Sequence, residues 1–208
     1  MKRAASRHTV WLVPAVAAFV PTAAEAHLVV TGMGPINDGI SHFVWSPEDF
    51  LPVIALALFA GLRGPSHARS ALAALPLAMF AGGVAALLGL VLPPLVLPVS
   101  TALLFLIVGG LLAADTNVPA AACAVLAAGL GTVRGLDDVA GVPASFAHAL
   151  SLFGMCASVF VVFALAASVT LPLQRVWMIV AARVSGSWLA ALGLLLTGWI
   201  IRYGAVVR

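Results

Sequence analysis

Beyond its N-terminal segment the chain alternates between long apolar stretches and short joins rich in Pro and Gly. Apolar stretches lie at roughly 48–63, 71–92, 95–114, 118–134, 143–169 and 177–201. An α-helix rises about 1.5 Å per residue, so about 20 residues cross the roughly 30 Å of hydrocarbon in a bilayer. The first and fourth stretches are short for that span, and the fifth is long enough to tilt or protrude. Arg63-Gly64-Pro65, Leu92-Pro93-Pro94, Asn117-Val118-Pro119, Gly141-Val142-Pro143 and Leu171-Pro172 mark the joins. The runs are continuous and lack the ten-residue alternation of a membrane barrel. The pattern predicts an all-α, polytopic transmembrane bundle of about six helices in one domain, residues 27–208, with five spans if one weak segment is re-entrant.

Composition agrees with the pattern. Of 208 residues, 63% are hydrophobic and 8% charged, and the mean hydropathy is +1.16. Soluble domains carry about 25% charged residues, so a water-soluble globule is excluded. Lys2, Arg3 and Arg7 precede an apolar run from Val10 to Val20, which ends in Ala23-Ala24-Glu25-Ala26. A basic head, a short apolar middle and an A-x-A site describe a secretory signal peptide over residues 1–26. Its removal leaves basic and acidic residues nearly balanced, with no footprint for nucleic acid. Cys123 and Cys156 sit in apolar stretches as small packing residues.

Cleavage would place the mature N-terminus on the periplasmic side of a bacterial inner membrane. Arg63, Arg69 and Arg175 then fall in cytoplasmic loops, as the positive-inside rule expects, while Arg202 and Arg208 run against it. Asp38, Glu48, Asp49, Asp137 and Asp138 gather outside with His27, His42 and His148, whereas Asp115 and His67 stay inside. Ionisable groups are costly in a membrane and mark functional candidates. Carboxylates and imidazoles on one side could hold Ni²⁺, Co²⁺ or Zn²⁺, or could simply be what remains outside when Arg collects inside. Near the start of the first span, Ser46 and Asp49 fit a shortened capping box, Pro47 suits the first helical position, and Glu48 and Asp49 complement the helix dipole. His42 has no such structural task and is the stronger ligand candidate. Trp45 reads as part of an interfacial aromatic belt. Arg134 reads as a residue snorkelling to the interface, or as a partner of Asp137 or Asp138. His148 is a hydrogen-bonded group or a further station, with Met155 and Cys156 one to two turns on. His27, exposed as the first mature residue, would offer its amine and imidazole together to Cu²⁺ or Ni²⁺.

These residues resemble a family. Gly39-x-x-His42, then Pro47-Glu48-Asp49-Phe50-Leu51 and Leu56-Ala57-Leu58-Phe59-Ala60-Gly61, is similar to the first transmembrane region of the HupE/UreJ proteins. Those are hydrogenase and urease accessory membrane proteins with a signal peptide, proposed to move nickel or cobalt. Their signature resembles H-P-x-x-G-x-D-H leading into an apolar helix. His42 matches the first histidine, Phe43 replaces the proline, Glu48 stands at the aspartate and Asp49 at the second histidine. Leu75 to Gly83 is similar to the family's second helix. Gly131 to Asp137 occupies the place of an H-G-x-A-H-G-x-E segment, with Arg134 at its second histidine. His148 and Gly154 resemble the following helix in outline.

The resemblance implies a nickel or cobalt permease or metal-delivery protein. Its metal candidates here are His42, Glu48, Asp49, His148, Asp38 and His27. The competing reading is a non-transporting scaffold or assembly subunit of a membrane-bound or exported enzyme complex, favoured by the scarcity of polar residues inside the spans. Either role is compatible with oligomers and with a metalloenzyme partner. An enzyme is not expected, since no Ser/His/Asp, H-E-x-x-H or phosphate-loop pattern occurs.

Overall fold

The computed structural model describes residues 31–170 and 176–203. The expected signal peptide, His27, Arg175 and Arg208 lie outside the described residues. The described residues form seven helices: α1 (Pro35–Trp45), α2 (Pro47–Arg63), α3 (Pro65–Leu87), α4 (Val96–Ala114), α5 (Ala120–Asp138), α6 (Phe146–Thr170) and α7 (Val176–Tyr203). From α3 to α7, five helices are long and apolar enough to cross a membrane, and α1 with α2 passes the same test as one bent pair. The protein is an all-helical membrane bundle.

Proline and glycine set the boundaries. Pro47 has no N–H to continue α1 and forces Ser46 into extended backbone, so α2 departs from α1 at 73°. Gly64, at φ +108°, ends α2 immediately before Pro65 opens α3. Asp115 closes α4 in the left-handed conformation, at φ +54°.

Helix α1 was not anticipated by the apolar pattern. Asp38, Asn37, Ser41 and His42 interrupt its hydrophobicity, yet Gly39 and Phe43, one turn apart, are buried together. The expected capping box is absent too. The Ser46 hydroxyl makes no capping bond to α2; the Asp49 N–H donates to the Ser46 carbonyl oxygen instead, and the Asp49 side chain turns to Arg134.

Lipid supplies little hydrophobic drive between helices, so close approach of backbones must hold the bundle. Four helix pairs achieve it, α3 with α5, α4 with α7, α1 with α6, and α2 with α6. A Cβ added at Gly135 would come within 2.0 Å of the Met79 carbonyl oxygen, and one at Gly39 within 1.9 Å of that of Ser151. Gly109 and Gly186 face each other in the α4–α7 crossing. Helix α2 runs through the middle, burying Leu56, Phe59 and Ala60 among Val159, Phe163 and Met155 of the core. The outer surface of α7 exposes Trp177, Trp188, Leu195 and Trp199, an apolar face suited to lipid.

Candidate metal centre

One end of the bundle brings together the end of α1, the start of α2 and the end of α5. His42 stands in the last turn of α1 and Asp49 in the first turn of α2. The bend at Ser46 folds these two turns toward each other. On α5, Arg134, Asp137 and Asp138 are spaced i, i+3 and i+4, which places them on one helix face.

Arg134 organises the group. Its Nε donates to Asp49 Oδ1, Nη1 to Asp137 Oδ2 at 3.0 Å, and Nη2 to Asp138 Oδ1 at 3.1 Å. Arg134 is 5% exposed and Asp49 1%, so of the two expectations for Arg134 the structure has the pairing with Asp137 and Asp138 and not the snorkelling side chain, with Asp49 as a further partner. A guanidinium has a rigid fork of five donors and no acceptor, which lets it grip several carboxylates at once. The grip is incomplete. Asp49 Oδ2 and Asp138 Oδ2 are buried with no hydrogen-bond partner, an expensive arrangement unless a further positive group or donor approaches. Three carboxylates, Asp49, Asp137 and Asp138, face the single guanidinium of Arg134, an excess of acid that a protonated His42 would partly offset.

His42 faces this excess. Its Nε2 lies 3.9 Å from Asp49 Oδ2 and 3.9 Å from Asp138 Oδ1. One donor atom each from His42, Asp49 and Asp138 falls within 4.8 Å of the others. An ion with bonds of about 2.0–2.2 Å to nitrogen and oxygen fits among donors so spaced after small side-chain rotations. The donor set, one imidazole and two carboxylates, suits divalent transition metals.

The profile of the HupE / UreJ protein family matches residues 15–196. The chain belongs to the HupE/UreJ family. No curated protein and no solved structure matches it significantly. In this HupE/UreJ protein His42 of α1 and Arg134 of α5 approach Asp49, at the start of α2, through different carboxylate oxygens.

The remaining expected ligands have other partners or positions. Asp38 accepts hydrogen bonds at Oδ1 from the Thr31 backbone N–H and hydroxyl, each at 2.6 Å, and so fastens the entry to α1. Glu48 is exposed and lines a neighbouring cavity of about 240 Å³ with Thr101, Arg134, Asp137 and Trp199. His148 holds its own helix start, with Nδ1 2.7 Å from the Pro143 carbonyl oxygen and 2.9 Å from Ser145 Oγ. Met155 and Cys156 are packed in the core. His42 and Asp49 are thus the expected ligands that converge. Asp138, the third member, was visible in sequence as an outer acidic residue and a candidate partner of Arg134, and not as a ligand. Its spacing from Arg134 within an otherwise apolar stretch was the available signal.

A second polar cluster closes the opposite end. Arg63 donates from Nε to the Thr116 carbonyl oxygen at 2.7 Å and from Nη2 to Asp115 Oδ1 at 2.6 Å. Its guanidinium also lies 5.1 Å from the centroid of the Phe59 ring. His67 Nε2 is 2.8 Å from the Val118 carbonyl oxygen, and the Ser70 hydroxyl donates to that of Ala120 at 3.3 Å. These bonds tie the α2–α3 turn to the α4–α5 turn.

Proposed function

We propose that this HupE/UreJ protein is an inner-membrane accessory protein that captures a divalent metal ion, Ni²⁺ or Co²⁺, at an outward-facing site for permeation or delivery. His42, Asp49 and Asp138 supply the ligands, and Glu48 adds negative charge near the mouth. The observation that carries the reading is the convergence of the three donors beside two buried carboxylate oxygens that lack partners. A divalent cation would satisfy those oxygens and offset the excess of carboxylates. The orientation follows from the sequence-based topology, in which α1 and the end of α5 face the periplasm.

Metal analysis of the detergent-purified protein tests the reading. The wild type should retain Ni²⁺ or Co²⁺ in proportion to protein, and His42→Ala should lose most of it. Equal metal in both forms would overturn the assignment. Uptake of radiolabelled nickel or cobalt by cells then separates permeation from delivery.

A second reading, a non-transporting assembly subunit, draws on the core below the cluster. Leu56, Phe59, Val159 and Phe163 are fully buried there, and an ion crossing about 30 Å of hydrocarbon normally needs polar stations. Under that reading the protein co-purifies with a larger complex at fixed stoichiometry, and uptake is unchanged when it is removed.

A further inference from the structure

We infer that Arg134 is a tethered stand-in for the metal, holding Asp49 and Asp138 until an ion arrives and then swinging into the adjoining Thr101–Trp199 cavity. The inference rests on the cation reading above and adds the event that admits the ion.

The guanidinium and the proposed ion compete for the same acids. Nε and Nη2 of Arg134 hold Asp49 Oδ1 and Asp138 Oδ1, while His42 addresses Asp49 Oδ2 and Asp138 Oδ1 from the other side. A dication among these atoms would stand close to a fixed positive charge, and the repulsion is strong where water is scarce. Asp49 Oδ2 and Asp138 Oδ2 are not held by Arg134, so the ion can engage them first, and withdrawal of the guanidinium then relieves the repulsion and frees both Oδ1 atoms.

The space to receive it is built. Arg134 itself lines the cavity of about 240 Å³ that also includes Glu48, Thr101, Asp137 and Trp199. Asp137 is already bound by Nη1 at 3.0 Å, so the side chain can turn about that bond without losing all its acidic partners. Thr101 is 8% exposed and its Oγ1 is buried with no hydrogen-bond partner. A hydroxyl can accept an N–H, and the arriving guanidinium would supply it. Trp199 closes the lipid-facing side of the cavity, and Glu48 in its wall offers a counter-charge. Thus the cavity pairs an orphaned acceptor with groups that suit arginine, while the other side of Asp49 and Asp138 suits a metal. Exchange between them keeps the buried carboxylates matched with positive charge in both states.

Nickel titration of the detergent-purified full chain, with thermal unfolding in the same detergent, tests the exchange. In Arg134→Gln the competitor is gone, so Ni²⁺ should bind about tenfold or more tighter, and added metal should raise the unfolding temperature more than in the wild type. In Thr101→Val the receiving acceptor is gone. That variant should bind Ni²⁺ several-fold more weakly, without a fall in the unfolding temperature of the metal-free protein. Wild-type binding with unchanged or weaker affinity in Arg134→Gln overturns the exchange and leaves the cation site standing. Should Arg134→Gln fail to fold, Thr101→Val decides, and wild-type affinity in it overturns the exchange. Absence of binding in the wild type and both variants overturns the cation reading, and the exchange with it.

Discussion

Two arginines anchor the two ends of this bundle, and they are used in opposite ways. Arg63 meets one carboxylate and one backbone carbonyl, at 2.6 and 2.7 Å, at a partly open edge. Charges there balance, and the bonds join two turns. Arg134 meets two buried carboxylates and the exposed Asp137, and two carboxylate oxygens beside it have no hydrogen-bond partner. The first arrangement is what holding a structure together requires. The second leaves acceptors unsatisfied where they are costly, and it is there that we place the proposed cation.

The sharpest way to break this contrast is to neutralise each arginine. Arg134→Met leaves Asp49 and Asp138 buried without their counter-charge, and removing one partner of a buried network costs about 3–5 kcal/mol. Thermal unfolding in detergent should show a large drop. Asp49→Asn keeps Arg134 paired to α5 but loses a charge-assisted bond, for a cost of about 1–3 kcal/mol. It should also abolish Ni²⁺ retention measured by metal analysis. Arg63→Gln removes a pair at a partly exposed edge and should cost about 1 kcal/mol or less. Its metal content should match the wild type, and a loss of metal there would erase the distinction between the two ends. The smallest effect is expected from Ser151→Ala. The Ser151 hydroxyl is buried without a partner, so its removal should leave the unfolding temperature unchanged or raise it slightly.

Much of the bundle was legible in the sequence because membrane helices satisfy their backbone locally and need long apolar runs. Gly64-Pro65 and Pro119 mark helix joins where proline chemistry demands them. Helix α1 escaped notice for the converse reason: Asn37 and Asp38 bond the segment that enters it and His42 faces the cluster, so its hydrophobicity is patchy over 11 residues. The cluster itself was half legible. His42 and Asp49 are neighbours in sequence, and the lack of a structural task for His42 identified it. Asp49 and Arg134 are 85 positions apart, and only the packing of α5 beside α2 joins them. Local rules gave Asp49 a cap and Arg134 either a snorkelling side chain or a pair within α5, and the tertiary ion pair displaced the cap and the snorkelling side chain.

The glycine crossings bear on how such a cluster could move. Backbone contact welds α3 to α5, α4 to α7 and both α1 and α2 to α6. Arg134 and Asp138 ride on the first group, Thr101 and Trp199 on the second, and His42 and Asp49 on the third. The charged cluster therefore straddles the joints of three stiff bodies. Rocking one body against another by a fraction of a helix turn would respace the donors while leaving every helix intact.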